Sequence, residues 1–537
     1  MNARYFLLLA AFSLSGCLHQ GVEKPNILII LADDMGYSDL SCMGSEIRTP
    51  HIDRIATEGM LFTRFYNAAR CCPTRASLLT GLYPHQAGMG DMTEGRVRID
   101  GSHVPSYQGY LNDRSITIAE ALKGEGYSTF ISGKWHVGDE PEHWPEKRGF
   151  DRSFSLISGA SNYFNLEPYL DHRQEIVFEE DGTRIDSTGE QWYITDAIGD
   201  KALDYLENRE KGNPFFLYLA FTAPHWPVQA PEKALEEYRG SYREGWEVFR
   251  QRRYDSLLAK GILEGAELSP PFYDRPFLTP DWDTLSREDR IAFDHRMAAY
   301  AATISRMDQN VGKVLTFLEK EGTLDNTFVI FLSDNGACKA YIYLVTQWIA
   351  DRSGPIGSEN SFESQGAMWA NVSNAPYRLF KTNTTEGGII TPMLVRYPAL
   401  IDPGTLNRTP AHLIDLFPTI LELTDAPFPE NRNGRQLIPL PGISLVPLLK
   451  DPADATLSDR PLFWEHQGNA AVQQGKWKLV RQHGEPWHLY NIQKDPAELH
   501  DRAGQYPGIR SRLAETYGKW ARDVGVVPWD SLKLKRE

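Results

Sequence analysis

The feature of the chain that most constrains its fold is a short, unbroken apolar run near the beginning of the sequence. The run follows Pro25 and covers residues 26–31, which are mostly isoleucine and leucine. Such a run is typical of a strand that is buried on both faces, as in a parallel sheet. The sequence therefore predicts a core strand that is covered by helices on both sides.

Similar runs recur along the chain, and helical patterns lie between them. Further candidate strands cover residues 127–132, 215–221, 327–332 and 389–397. Before the third of these, apolar residues from Met297 to Leu318 recur three or four positions apart, which predicts a long amphipathic helix. Strands that alternate with helices predict an α/β fold with a large, mainly parallel sheet flanked by helices.

The composition changes beyond the last of these strands. Seven prolines lie from Pro427 to Pro461, which argues against regular helix and predicts a wrapped connection. Four short candidate strands follow, at residues 463–464, 470–473, 477–480 and 487–490, and a helical stripe closes the chain. We therefore predict a main α/β domain at residues 25–450 and a smaller C-terminal α+β subdomain at residues 451–537.

The charge balance limits the partners that the chain can have. Lysine and arginine number 56 against 71 aspartate and glutamate residues, which gives a net charge of −15. An acidic chain lacks the basic surface of a nucleic-acid-binding protein, so we predict no nucleic-acid partner. If the substrate is an anion, the positive charge that receives it must be concentrated in one pocket.

The first residues have the pattern of an export signal. Arg4 precedes an apolar run at residues 5–14, which is too short to span a bilayer. A Leu-Ser-Gly-Cys sequence that ends at Cys17 resembles a bacterial lipobox. The resemblance implies a signal peptide at residues 1–16, a lipid anchor to the membrane through Cys17, and a linker at residues 17–24.

An ordinary secretory signal is the alternative, and either interpretation implies export. Leu18, rather than aspartate, follows the cysteine, which resembles the pattern that is sorted to the outer membrane. The expected location is therefore the periplasm or, for an anchored lipoprotein, the outer membrane, on either of its faces.

Polar side chains follow four of the predicted strands at the point where each strand ends. Ligands of open parallel sheets bind beyond the carboxyl ends of the strands, so we expect these side chains to meet at one edge. Singly, an aspartate pair there is more often a turn or helix cap, and a lone histidine is usually structural. The convergence of four strand ends favours a functional site. Its residues are Asp33, Asp34, Lys134, His136, His225, Asp334 and Asn335.

Four of these residues offer oxygen ligands only. They are three carboxylates, Asp33, Asp34 and Asp334, and the amide of Asn335. Without a cation the clustered carboxylates would repel one another and raise one another's pKa. Hard oxygen ligands favour Ca²⁺ or Mg²⁺ over zinc, and the high charge with a carbonyl oxygen favours Ca²⁺. A solvated loop cluster is the alternative at this point.

The strongest local signal is the segment at residues 71–81. Pro73 suits the first turn of a helix and Gly81 its end, which places Cys71 just before the helix N-terminus. Unpaired N–H groups favour an anion there, and Arg75 follows one turn later on the same side. A thiol in this place would be an activated nucleophile, as in a cysteine hydrolase, although thiolates suit neither a hard cation nor an oxidising compartment.

The pattern Cys71-x-Pro73-x-Arg75, followed by Leu-Leu-Thr-Gly, resembles the signature of the type I sulfatases, a family of the alkaline phosphatase superfamily. Four further sulfatase blocks match in the same order, at residues 26–36, 133–136, 223–225 and 333–336. The match covers nearly all of the mature chain and is strongest to bacterial arylsulfatases of the Pseudomonas type. It implies an alkaline-phosphatase-like fold.

A last block, at residues 369–374 and 381–388, resembles the one that supplies the final catalytic lysine of the family, here Lys381. Thr385 departs from the pattern, because close relatives often carry histidine before the Glu-Gly-Gly sequence. The departure leaves the alignment of Lys381 intact but puts the rim of the pocket in doubt.

The resemblance implies a calcium-dependent sulfatase that hydrolyses sulfate monoesters to an alcohol and inorganic sulfate. It implies that a sulfatase-maturating enzyme converts Cys71 to Cα-formylglycine, whose hydrate attacks sulfur while the alcohol leaves. It also implies one Ca²⁺ per chain. The ligands of that ion would be Asp33, Asp34, Asp334, Asn335 and the side chain formed from Cys71.

The resemblance also implies the roles of five further residues. Arg75 would hold the hydrated aldehyde, and Lys134 would bind the sulfate group. His136 would abstract the proton that allows sulfate to be expelled. His225 and Lys381 would lie near the leaving oxygen, with His225 the better general acid at neutral pH.

Several alternatives stay open at the level of sequence. The same nucleophile chemistry would serve a phosphonate or phosphodiester hydrolase of the same superfamily, and a non-catalytic lipoprotein could bind sulfated glycans. The alcohol half of the substrate could be aryl, alkyl or a sulfated carbohydrate. Of the remaining cysteines, Cys72 could pair with Cys42 or Cys338.

Overall fold

The computed structural model describes residues 24–95, 98–99, 102–168, 176–265, 267–271, 281–342, 353–454 and 456–533. The predicted signal peptide and the anchoring Cys17 lie outside these ranges, so export and lipid anchoring stay predictions. Within the described ranges, no helix is both long enough and apolar enough to cross a membrane.

The strands are short and mostly buried. In chain order they are β1 (Asn26–Ala32), β2 (Met60–Tyr66), β3 (Arg98–Ile99), β4 (Ser102–His103), β5 (Ser128–Lys134), β6 (Arg152–Leu156), β7 (Phe178–Glu180), β8 (Thr183–Ile185), β9 (Phe215–Ala220), β10 (Thr327–Ser333), β11 (Ile390–Arg396), β12 (Thr405–Asn407), β13 (Ala411–His412), β14 (Asn431–Arg432), β15 (Arg435–Gln436), β16 (Leu462–His466), β17 (Asn469–Gln474), β18 (Trp477–Arg481) and β19 (His488–Asn491).

The helices lie between these strands. In chain order they are α1 (Pro50–Thr57), α2 (Cys71–Thr80), α3 (Pro84–Ala87), α4 (Ile118–Lys123), α5 (Ile194–Asn208), α6 (Glu232–Glu236), α7 (Trp246–Ala259), α8 (Arg287–Glu321), α9 (Gly366–Ser373), α10 (Glu386–Ile389), α11 (Leu416–Thr424), α12 (Val446–Lys450), α13 (Pro507–Val524) and α14 (Trp529–Lys533).

One large sheet organises the molecule. Its order is β12-β2-β11-β10-β1-β9-β5-β6-β7-β8, and β13 also pairs with β2. The five central strands, from β10 to β6, run parallel, whereas β11 and β7 join them in the antiparallel direction. The predicted large, mainly parallel sheet flanked by helices is confirmed.

The apolar run that predicted the first strand is buried on both faces, as expected. Leu28 and Ile30 pack into one hydrophobic cluster, whereas Ile27, Ile29 and Leu31 pack into the cluster on the other side of the sheet. None of these five side chains exposes any surface. A strand with two buried faces has no polar positions, which is why its sequence does not alternate.

The long helix α8 covers one face of the sheet. Ser286 caps its N-terminus, where the Ser286 hydroxyl accepts a hydrogen bond from Asp289 N at 3.0 Å. Gly322 caps its C-terminus with a φ of 77°. The apolar residues that predicted the helix, from Met297 to Leu318, are all buried. This prediction is confirmed.

The C-terminal region contains a four-stranded antiparallel sheet in the order β16-β17-β18-β19, with α13 packed on one face. Its other face contributes Trp464, Val480 and neighbouring residues to a core cluster of the main domain. The four predicted strands and the closing helix are therefore confirmed. The prediction that the proline-rich connection contains no regular helix is wrong, because α12 forms there with Pro447 in its first turn, where no N–H partner is lost.

Candidate functional site

The parallel strands β1 and β10 bring the four predicted oxygen ligands together. The two strands stay in register to their last residues, so Asp33 and Asp334 leave the sheet side by side. Asp34 N donates to Asp334 Oδ1 at 3.1 Å, and Asn335 Nδ2 donates to Asp34 Oδ1 at 2.6 Å. All four residues are buried, as the carboxyl end of a parallel sheet predicts.

Three oxygen atoms of this set lack hydrogen-bond donors. They are Asp33 Oδ1, Asp34 Oδ2 and Asn335 Oδ1, and all three are buried. A buried polar atom without a partner is costly, so their convergence fits a bound cation. Because the ligands are carboxylate and amide oxygens, the residues fit a hard divalent ion such as Ca²⁺.

Helix α2 carries the predicted nucleophile. It begins at Cys71 itself, with Arg70 as the extended residue before it, so the helix starts earlier than Pro73 suggested. It ends at Gly81, which has a φ of 67°, as predicted. All 10 residues of the helix are buried. The side chain at position 71 thus lies in the first turn, where free N–H groups favour an anion.

Arg75 connects this helix to three strand ends. Its Nη2 donates to Asp334 Oδ2 at 3.2 Å and lies 3.7 Å from Asp33 Oδ2, while Nη1 donates to the carbonyl of Lys134 at 2.7 Å. The side chain exposes no surface. Arg75 therefore faces the site one turn after Cys71, as the spacing predicted.

Two lysines pair with the two aspartates that follow β1. Lys134 Nζ donates to Asp33 Oδ2 at 2.6 Å, and Lys381 Nζ donates to Asp34 Oδ1 at 2.6 Å. Burial by itself raises the pKa of Asp33, but Lys134, His225, Arg75 and Lys381 outweigh it and hold that pKa well below its usual value. The site therefore concentrates positive charge inside an acidic chain, as the charge balance required.

The pKa of the third aspartate, Asp334, shifts in the opposite direction to that of Asp33. Burial and repulsion from Asp33 raise the pKa of Asp334 well above its usual value, although Arg75 opposes the rise. Carboxylates that share a buried site without a cation repel one another in this way. The expectation from the sequence is confirmed for this residue.

His225 follows β9 and lies beside Asp34. Its Nε2 is 3.5 Å from Asp34 Oδ2, and its Nδ1 lies 2.6 Å from the carbonyl of Trp226, which fixes Nδ1 as the donor. Burial lowers the pKa of His225, although Asp34 and Asp33 oppose that effect. His225 and Lys381 thus reach the same aspartate.

His136 lies close to Cys71, just beyond the end of β5. A ring nitrogen of His136 and the Sγ atoms of Cys71 and Cys72 all lie within 4.8 Å of one another. Both ring nitrogens of His136 are buried, and the His136 side chain contributes to the lowered pKa of Cys71. The His136 backbone has a φ of 54°. An imidazole beside the nucleophile can accept a proton.

The two adjacent cysteines differ in their ionisation. The neighbouring thiol of Cys72 lowers the pKa of Cys71, and Lys381 and Lys134 lower it further against the effect of burial, so it lies well below the usual value. Burial raises the pKa of Cys72 well above it. Cys42, Cys71, Cys72 and Cys338 are all free thiols, so the suggested pairing of Cys72 with Cys42 or Cys338 is wrong.

The sequence analysis missed a buried ion cluster behind the Lys381 loop. Lys478 Nζ donates to Glu386 Oε1 at 2.6 Å and lies 2.9 Å from Glu498 Oε1. Glu386 N also donates to Glu498 Oε2 at 2.9 Å. Because Lys478 belongs to β18 of the small sheet, no local pattern could have associated it with this loop.

Gly159, a second residue that the sequence analysis missed, determines the space available to His136. A Cβ atom at residue 159 would lie 2.6 Å from His136 Cε1 and 2.7 Å from Nε2. We expect Gly159→Ala to displace the ring by a few tenths of an ångström or more and to lower turnover by about 10²-fold. Gly189→Ala is the matched control, because its Cβ meets no atom within 4 Å. Equal turnover in both variants would show that Gly159 does not position His136.

Comparisons with known proteins agree with this geometry. The family model described as Sulfatase matches residues 25–426, and that of the C-terminal region of N-sulphoglucosamine sulphohydrolase matches residues 378–517. The chain is 37% identical to an uncharacterized sulfatase of Schizosaccharomyces pombe over 94% of this chain and 95% of the relative. It is 34% identical to an arylsulfatase of Klebsiella aerogenes over 83% of this chain and 96% of the relative.

A solved structure is also similar to this chain over almost its entire length. The crystal structure of Ps i-CgsB in complex with k-i-k-neocarrahexaose superposes with a TM-score of 0.67 and 27% sequence identity. The alignment covers 93% of this chain and 93% of that chain. The similarity therefore includes the large sheet and the small C-terminal sheet together.

Proposed function

Because the chain belongs to the sulfatase family of the alkaline phosphatase superfamily, we propose that it hydrolyses sulfate monoesters with a formylglycine formed from Cys71 and one bound Ca²⁺. It is a sulfuric ester hydrolase. The observation that supports the proposal most is the meeting of Cys71, the four oxygen ligands and three buried cations at one edge of the sheet.

Position 71 would carry the formylglycine, and the four oxygen ligands would hold the Ca²⁺ ion. Asp33, Asp34, Asp334 and Asn335 would bind Ca²⁺ together with the side chain formed from Cys71. When present, the hydrated formylglycine supplies a hydroxyl nucleophile for sulfur, and Ca²⁺ draws electrons from the sulfate oxygens. A sulfatase-maturating enzyme is the partner that this proposal requires.

The buried cations receive the charge of the ester. Lys134 and Lys381 direct their ammonium groups toward the oxygen set, and Arg75 holds α2 against it. Negative charge develops on the sulfate oxygens and the leaving oxygen as the ester bond breaks. Fixed positive groups in a buried site stabilise that charge without reorganising, which is usually the largest catalytic contribution.

The two histidines have different positions and therefore different roles. His136 lies beside position 71, so it accepts the proton whose removal allows sulfate to leave. His225 and Lys381 lie against Asp34, and we assign to them the proton that the leaving alcohol takes up. General acid and base help of this kind contributes about 10² to 10⁴ in rate.

The substrate class is tested with a panel of esters on the purified, matured protein. Because the similar proteins include an arylsulfatase and a structure that holds neocarrahexaose, the panel contains aryl, alkyl and carbohydrate sulfates. We expect sulfate release to exceed phosphate release from matched phosphate esters. Faster turnover of phosphodiesters or phosphonates would instead favour that branch of the superfamily, and binding of sulfated glycans without release would favour a non-catalytic lipoprotein.

Removal of one metal ligand tests the calcium proposal. Asp334→Asn keeps the shape of the side chain but removes a charge from the oxygen set, so we expect Ca²⁺ affinity to fall by more than about 100-fold and turnover to be lost. Elemental analysis should find about one Ca²⁺ per wild-type chain. Asp325→Asn, at the other end of β10 and 80% exposed, is the matched control. Bound zinc, or two metal ions per chain, in fully converted protein would contradict the proposal.

We also propose that the chain is exported and anchored to a membrane through Cys17. The support is the Leu-Ser-Gly-Cys sequence after the short apolar run. Cys17→Ala should move the protein from the membrane fraction of the cells to the soluble periplasmic fraction. Retention of that variant on the membrane would contradict the lipid anchor.

A further inference from the structure

The residues at the start of α2 include a second set of metal ligands, of a different chemical kind. The Sγ atoms of Cys71 and Cys72 and a ring nitrogen of His136 lie within 4.8 Å of one another. Each residue is at most 2% exposed. Two thiols and one imidazole are soft ligands, whereas the neighbouring oxygen set is hard, so the two sets select different ions.

The buried imidazole is the observation that indicates a ligand. Both nitrogens of His136 are buried, its side chain faces the Cys71 thiol, and a Cβ atom at Gly159 would lie 2.6 Å from the ring. Zinc bonds of about 2.3 Å to sulfur and about 2.1 Å to nitrogen require ligand atoms roughly 3.5 to 3.8 Å apart. Atoms that lie at most 4.8 Å apart therefore need to approach one another by at most about 1.3 Å, and rotation about χ1 of the cysteines would supply that movement.

The charges also allow such a complex. Zn²⁺ binds both sulfur atoms as thiolates, so any proton that a thiol still carries is released, and the ion and two thiolates form a neutral unit with the imidazole. That unit adds no net charge beside Arg75, Lys134 and Lys381. A water molecule completes the tetrahedron in the fourth position.

We propose that the unconverted chain, which carries a thiol at position 71, binds one Zn²⁺ through Cys71, Cys72 and His136. The site exists only before maturation, because conversion of Cys71 removes one thiolate. A zinc-loaded chain would therefore withhold Cys71 from reagents that attack a free thiol. The contrast with the converted chain depends on the proposed function, whereas the metal binding of the unconverted chain does not.

The test uses the full chain from a host that lacks a maturating enzyme, saturated with Ca²⁺ and titrated with Co²⁺ as a spectroscopic probe. We expect one equivalent of Co²⁺ to produce a thiolate-to-cobalt charge-transfer band that Zn²⁺ removes. Cys72→Ala should weaken Co²⁺ binding by more than about 100-fold. Cys338→Ala, which removes a thiol outside the set, should leave the band unchanged.

His136→Ala is the second variant, in case Cys72→Ala fails to fold, and circular dichroism monitors the fold of both. Undiminished Co²⁺ affinity in either folded variant, or loss of the band in Cys338→Ala, would overturn the proposal. Equal Co²⁺ binding by converted and unconverted chains would also overturn it. If active protein contains no formylglycine, the proposed function fails, but the cobalt titration keeps its meaning.

Discussion

We expect His136→Ala to release about one equivalent of alcohol per active site and then to stall, with steady-state turnover reduced by about 10² to 10⁴-fold. The reason is the position of the ring, which lies beside Cys71, the residue whose converted side chain would hold the sulfate group. The variant can still complete the first release. It cannot take up the proton that allows sulfate to leave.

His225→Ala should impair the earlier step, in which the alcohol is released. Because His225 lies against Asp34 with Lys381, its loss should slow the first release, most of all for esters with a poor leaving group. Rapid-quench measurement of alcohol with a good and a poor leaving group compares the two variants. Equal losses for both esters in His225→Ala, without a burst in His136→Ala, would show that the roles are assigned wrongly.

The largest expected loss of stability is in Lys478→Met. Lys478, Glu386 and Glu498 are at most 2% exposed, and the lysine is paired with both carboxylates. Removal of one partner leaves uncompensated buried charge, which costs about 3 to 5 kcal/mol. Denaturant unfolding measures the change. Lys476→Met is the matched control, because Lys476 lies on the same hairpin but is exposed, and we expect a change within about 0.5 kcal/mol there.

The pH dependence of this variant separates charge from packing. Burial raises the pKa of Glu386, Lys478 lowers it and Glu498 raises it again, so loss of the lysine should raise it further. A carboxyl group whose pKa is higher in the folded chain binds more protons than in the unfolded chain. The unfolding free energy of Lys478→Met, relative to wild type, should therefore increase as the pH falls. If the unfolding free energy of Lys478→Met is lower than that of wild type by the same amount at all pH values, the loss is one of packing.

Four of the five central strands could be predicted from the sequence, because each is buried on both faces. The bounds of these four, β1, β5, β9 and β10, differ from the prediction by two residues or fewer. The fifth, β6, was missed, because Arg152 and two serines interrupt its apolar pattern. The strand β2, which pairs with β11, was also missed. Its apolar run is interrupted by Thr63 and Arg64, which a sequence pattern cannot distinguish from a loop.

The candidate site was predictable where its residues follow strands or share a helix turn. Asp33, Asp34, Asp334 and Asn335 meet because parallel strands end at one edge. The spacing in the α2 signature predicted that Cys71 and Arg75 face the same side. The helix, however, starts at Cys71 rather than after it. These relations depend on local geometry, which the sequence contains.

The residues that support the site could not be predicted in the same way. Lys478 lies in a strand of the small sheet, where a lysine usually faces solvent, and it contacts Glu386 only because the two sheets pack together. Gly159 lies next to the His136 ring, and no sequence pattern predicts the contact between these two loop residues. Long-range contacts of this kind depend on the whole fold.

The central claim is that Cys71, and not Cys72, becomes the formylglycine of the active enzyme. Mass spectrometry of the peptide that contains both residues, from fully active protein, tests it directly. We predict an aldehyde or its hydrate at position 71 and an unchanged thiol at position 72, because only Cys71 has the proline and arginine at the spacing of the signature. An unmodified thiol at position 71 in fully active protein would contradict the account.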